Sequence, residues 1–211
     1  MANRIAIQRL YNQHLEGQKF QTPGEVVAWL GAVQAQEYAL AKWALGLRME
    51  QATDDGVEQA FNDGAILRTH VMRPTWHFVT PADIHWILEL TAPRVHQFNA
   101  YMYRKLELDD ALLRRSSVVI ASALEGGKHL TRAELGAALA QAGIDTADGM
   151  RLGYIVHYAE LERIVCSGAR RGKRTPMRCW MSARREPGGW HMTRHWPNSR
   201  CGSLPVTGRR R

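Results

Sequence analysis

The stretch AILRTHVMRPTWHFVTPAD, residues 65–83, decides how this chain folds. Its two halves, Ile66–Met72 and Thr75–Thr80, are rich in β-branched and aromatic residues, and Arg73 and Pro74 lie between them, which predicts a β-hairpin. Helical segments precede it. Residues 3–15 place Ile7, Leu10, Tyr11 and Leu15 on one helical stripe. Thr22, Pro23 and Glu25 form a helix-start signature with a capping box, and that helix is expected to run through about Val33. Another helix is expected over 38–49, and Asp54 is expected to cap a further short helix that ends near Gly64. Helices followed by a hairpin give the winged helix-turn-helix order.

The order returns further on. After a helix that starts near Pro81 and Asp83 and continues past Tyr101, residues 110–125 are helical. Thr131 caps RAELGAALAQAG with Glu134 three residues on, and Gly143 stops it. MRLGYIVHYAELERI is a further helix, and VCSGARRGK opens a second hairpin. The expected fold is mainly α with small β-hairpins, as tandem winged helix-turn-helix units. The first covers 1–105 and the second 106–173, truncated at its wing, with an irregular basic tail over 174–211.

Composition places the chain among ordinary soluble globular proteins, at 45% hydrophobic and 23% charged residues. Neither a signal peptide nor a transmembrane run is expected, and three scattered cysteines suggest a reducing cytoplasm. The histidines lack partners at metal-ligand spacing, so no metal and no cofactor is expected. The net charge of +8 is not a property of the body of the chain. Residues 174–211 hold nine arginines against one acid, Glu186, and that difference is the whole excess.

The abrupt shift after SGARRGK has two readings. One is a basic arm that binds phosphates. The other is a change of reading frame near Lys173. Back-translation of TPMRCWMSAR, regrouped from each third codon position, forces Leu at the Cys–Trp junction and Asp at the Trp–Met junction. The neighbouring positions permit YALLDER, a strand-like sequence that would complete the second wing, and the end, LPVTGR, permits SHGP in the same frame.

In a winged helix the third helix commonly enters a DNA groove and the wing touches phosphates. Arg151 on the third helix of the second unit, and Arg170, Arg171 and Lys173 in its wing turn, are candidates for such contacts. In the first hairpin, Arg68, His70, Arg73 and His77 alternate with apolar neighbours. They either line a nucleic-acid surface or form a polar outer face with Trp76 and Phe78 packed inward.

Four segments together, RLYNQHL, VVAWLGAVQAQEYALAKWALGLR, LRTHVMRPTWHFVTPADIHWIL and RLGYIVHYAELERIVCSGARRGK, resemble the winged-helix DNA-binding family that includes the AlkZ and YcaQ DNA glycosylases. The resemblance covers residues 3–173, and the shifted-frame YALLDER and SHGP also look like its continuation. It implies a monomeric protein, cytoplasmic at the nucleoid, that binds alkylated double-stranded DNA and excises N-alkylated purines, cross-linked ones included. The family's catalytic motif is two glutamines around one aliphatic residue, or a Gln/Asp version, and Gln34, Ala35 and Gln36 match it. Members are normally longer, so a non-enzymatic DNA-binding protein and an inactive remnant remain the alternatives.

Glutamine is no base near neutral pH, but its amide accepts and donates hydrogen bonds. Two amides can hold one water at the anomeric carbon of a cationic, ready leaving group. On a regular helix residues two apart point about 200° from each other. The site therefore requires a helix break between Val33 and Tyr38, an irregular link at 34–37 and a new helix from Tyr38.

Overall fold

Short-range chemistry fixes where each helix begins and ends. The structure is a computed structural model that describes residues 2–172 and 175–179. Helix α1 spans Ala2–Asn12, and its apolar residues Ile7, Leu10 and Tyr11 stay exposed. Helix α2 spans Pro23–Leu30 and opens with the expected capping box: the Thr22 hydroxyl accepts the Glu25 N–H, and the Glu25 carboxylate accepts the Thr22 N–H. It ends at Leu30 rather than Val33 because Gly31 turns the backbone to φ +73°, a conformation that costs glycine least.

Strand β1, Val33–Gln34, follows at once. Helix α3 starts at Tyr38, as expected, and ends at Gly46. Helix α4 is Asp54–Asp63; Thr53, not Asp54, is its cap, with the Thr53 hydroxyl accepting the Gly56 N–H. The quoted hairpin forms from β2, Leu67–His70, and β3, Trp76–Val79. All three strands join in one antiparallel sheet in the order β1-β3-β2.

Helix α5, Ile84–Lys105, links to a second copy of the same arrangement. Its parts are α6 Asp110–Ala123, β4 His129–Leu130, α7 Arg132–Gln141, α8 Gly149–Leu161, β5 Val165–Ser167 and β6 Met177–Cys179. The second sheet has the order β4-β6-β5, so in both units the last strand is central. Three residues of the segment expected to be an irregular tail from 174 are therefore strand. Met177–Cys179, in the frame as translated, pairs with both β4 and β5. Lys173 and residues 180–211 lie outside the described residues.

Three cores hold these elements. Phe61, Phe78, Leu45 and Val57 join α3, α4 and one face of the first sheet. The other face, through Leu67 and Val79, packs on Ile84, Ile87 and Leu88 of α5, and takes Leu161 and Cys166 from the second unit. The second unit has its own core around Leu113, Ile120, Leu135 and Ile155, against which Trp76 of the first hairpin packs. A polar seam runs beside it: the His70 ring donates from Nδ1 to Oε2 of Glu160, a fully buried carboxylate on α8. No helix among the described residues is long and apolar enough to cross a membrane.

Candidate functional site

The segment between α2 and α3 carries the two glutamines. Ala35 is completely buried, whereas Gln34 and Gln36 are exposed. That alternation is the pattern of an extended chain, in which residues two apart face the same side. The helix break that a shared water requires is therefore present, and it lies slightly earlier than expected, at Gly31. Part of the link is not irregular: Val33 pairs with Phe78 and Gln34 with His77.

Strand β3 anchors this segment. The Ala35 N–H donates to the Trp76 carbonyl at 2.7 Å. The Trp76 N–H donates to Oε1 of Gln36 at 3.3 Å, so the side-chain amide of Gln36 is tied to the sheet. The Ala35 carbonyl accepts from Nε and Nη2 of Arg68 at 3.1 and 2.8 Å, and Nη2 also reaches the Gln36 carbonyl at 3.4 Å. The Arg68 guanidinium lies 4.5 Å from the Trp76 ring and 5.5 Å from the Tyr38 ring, in cation–π range.

His77 stands beside Gln34 across the β1–β3 pair and is 3% exposed. Its Nδ1 is 2.9 Å from the Thr75 carbonyl, which can only accept, so Nδ1 carries the proton and Nε2 is the acceptor of the neutral ring. Burial, opposed by that hydrogen bond, holds the ring's pKa below the ordinary histidine value.

Tyr38, the first residue of α3, gathers charged groups from both units. Its hydroxyl donates to Oε2 of Glu58 at 3.1 Å, and Lys42 donates to the same oxygen at 2.9 Å and to Asp54 at 2.7 Å. Arg170, from the second unit, lies 4.7 Å from the Tyr38 ring and 3.5 Å from Glu58, and its backbone N–H donates to Oδ1 of Asn62. Burial and the nearby Glu58 charge push the Tyr38 pKa upward, so the phenol stays protonated.

The structure rearranges the expected DNA contacts. Arg68 and His77 are buried, not on an outer surface. Nor do they share a face: Arg68 pairs with Phe78 and His70 with Trp76, while His77 pairs with Thr69 on the opposite side. Arg151 is half-buried and donates to the carbonyls of Asp145 and Leu106. Arg170 is half-buried against Tyr38 and Glu58, and Arg171 is exposed but donates to the His129 carbonyl and Glu134. Arg73 is exposed in the first hairpin turn, and Lys173 lies outside the described residues. Sequence reasoning separated Arg68 and Arg170; the fold brings both to the ring of Tyr38. It did not single out Tyr38 or assign Trp76 to the glutamines, because no spacing rule links a strand amide to a side chain forty residues earlier.

Metal chemistry finds no cluster here: no group of three or more potential ligands occurs among the described residues. No curated protein sequence matches the chain. A solved structure, the DNA glycosylase AlkZ of Streptomyces sahachiroi, is similar in fold, with a TM-score of 0.71 and 24% identity. The similarity covers 82% of this chain and 48% of that one, so the chain spans about half the length of that relative. The family described as DNA glycosylase AlkZ-like matches residues 27–202. This match continues past Lys173, the point at which one of the two readings places a change of frame. With so much of its length matched, the chain belongs to the AlkZ-like DNA glycosylase family.

Proposed function

We propose that this chain hydrolyses the N-glycosidic bond of N-alkylated purines in double-stranded DNA, with Gln34 and Gln36 holding the attacking water. The observation that carries this reading is the break between α2 and α3, which leaves Gln34 and Gln36 exposed on either side of buried Ala35. The leaving base is cationic. As the C1′–O bond forms, the electron pair of the C1′–N bond passes to the purine and neutralises it, and the water's proton goes to solvent. The amide oxygens accept from the water and favour positive charge on the sugar. Undamaged purines lack the charge that makes this departure easy, which is a source of selectivity.

We further read the two repeated units as winged helices, with α4 and α8 as their third helices and the β2–β3 and β5–β6 hairpins as their wings. Arg73 and Arg171 are the exposed members of the proposed phosphate contacts. On this reading the protein works as a cytoplasmic, nucleoid-associated monomer on alkylated duplexes. Release of 7-methylguanine from alkylated DNA, abolished by Gln36→Ala, tests the activity. The alternative is a DNA-binding protein without catalysis. Tight binding to the alkylated duplex with no base released would establish it.

A further inference from the structure

The proposal that follows rests on the glutamine-pair reading above and concerns what builds that pair. In an antiparallel ladder a hydrogen-bonded pair of residues exchanges two bonds. Ala35 and Trp76 exchange only one. The Ala35 N–H reaches the Trp76 carbonyl, but the Trp76 N–H goes to the Gln36 side chain. The carbonyl that would have received it, that of Ala35, is taken by two N–H groups of Arg68.

We propose that Arg68 is the positioning residue of the site: by occupying the Ala35 carbonyl it releases the Trp76 N–H to fix the Gln36 amide. The geometry suits arginine alone. Its planar fork spans Nε and Nη2, and Nη2 continues to the Gln36 carbonyl, whereas a lysine offers one point charge. Burial to 9% exposure and the flanking rings of Trp76 and Tyr38 hold the fork in place. Burial disfavours the charged guanidinium, and it lies in the part of the first sheet adjoining the apolar Phe78 core. A residue kept there for packing would not need two directed bonds to one carbonyl. With its oxygen tied down, Gln36 loses rotamer freedom and presents its remaining lone pair and its NH2 group to solvent beside Gln34.

Two measurements on the full chain test this. In the unsubstituted protein, through-hydrogen-bond NMR couplings should connect the Trp76 amide nitrogen to the Gln36 side-chain carbonyl carbon, and the Arg68 Nε to the Ala35 carbonyl carbon. Absence of the couplings overturns the proposal without any variant having to fold. Arg68→Lys should then move the Trp76 amide resonance to where Gln36→Ala places it. It should lower kcat for 7-methylguanine release about 10- to 100-fold, the scale of a misplacement of roughly 1 Å, and leave KM nearly unchanged. Adding Arg68→Lys to Gln36→Ala should move the Trp76 amide resonance no further. An unmoved Trp76 amide in Arg68→Lys, or additive shifts in the double variant, overturns the positioning role. If the couplings and the Trp76 shift are found but the unsubstituted protein releases no base, positioning stands and the catalytic reading fails.

Discussion

Acidification should unfasten the seam between the two units at one histidine. His157, on α8, is 8% exposed, and its ring lies 4.4 Å from that of His70. Its Nδ1 is 3.4 Å from the Asn99 side-chain nitrogen on α5, and its Nε2 has no hydrogen-bond partner among the described residues. Burial, followed by the charges of His70 and His96, pushes its pKa down to about 3. An unfolded chain binds this proton near pH 6.5, so between those limits the unfolded state carries it and the folded state does not. Stability is then full above about pH 6.5 and is lost as pH falls toward 3. From pH 7 to pH 5 the loss is about 2 kcal/mol, an order-of-magnitude figure from the two pKa values. Urea unfolding at pH 7, 6 and 5 should show it, and His157→Gln should remove about 1 kcal/mol per pH unit from the slope. His77 and His129 are also depressed by burial, but they titrate alike in both proteins and cancel. Equal pH slopes for the two proteins would refute the reasoning.

Two other outcomes follow from individual side chains. Arg178 on β6 is 7% exposed and hydrogen-bonds to the Cys166 thiol, but its Nε and Nη2 have no hydrogen-bonded oxygen or nitrogen partner among the described residues, and a carbon added at Gly64 would meet Nη2 at 2.7 Å. Arg178→Leu should therefore raise stability by about 1–3 kcal/mol in thermal or urea unfolding, and a loss would show that the guanidinium is satisfied after all. Arg73 sits exposed in the first hairpin turn, so Arg73→Ala should weaken duplex binding equally across sequences. It should also reduce the slope of log affinity against log salt by about 1, whereas an unchanged slope removes Arg73 from the interface.

Local chemistry made most of the fold legible. Thr22 with Glu25, and Thr131 with Glu134, announce two helix starts, and the structure shows both capping boxes closed. The hairpin was legible from Arg73 and Pro74 between two β-rich runs. Contacts remote in sequence were not. β1 is only two residues long, and Val33 and Gln34 become a strand because Phe78 and His77 are there to pair with. Helix propensity through Val33 is weak beside that tertiary bond and the left-handed turn at Gly31. The alternation of Arg68, His70 and His77 looked like one polar face because it was counted through the turn. Register decides otherwise, since the Thr69–His77 pairing puts His77 on the side away from Arg68. Likewise β6 was unreadable: Met177, Arg178 and Cys179 sit in an arginine-rich tail, and the partners on β4 and β5 make them a strand.

The pH dependence of catalysis separates what the glutamines do from what supports them. Neither amide titrates in the accessible range, so water held by Gln34 and Gln36 alone predicts base release that is flat with pH wherever the protein is folded. Where acid unfolds the protein, loss of activity should coincide with loss of native tryptophan fluorescence, and His157→Gln should carry both to lower pH together. The alternative outcome is specific. His77 adjoins Gln34, its Nδ1 proton is fixed on the Thr75 carbonyl, and its neutral form offers Nε2 as an acceptor. An acid limb in kcat that persists while the fold stays intact would assign the water's proton to that ring. The limb would lie below pH 6.5, because burial depresses the His77 pKa, and His77→Gln would abolish it. Flat rates across the folded range, in the presence of an intact His77, would leave the chemistry to two amides and a base whose positive charge is neutralised as it departs.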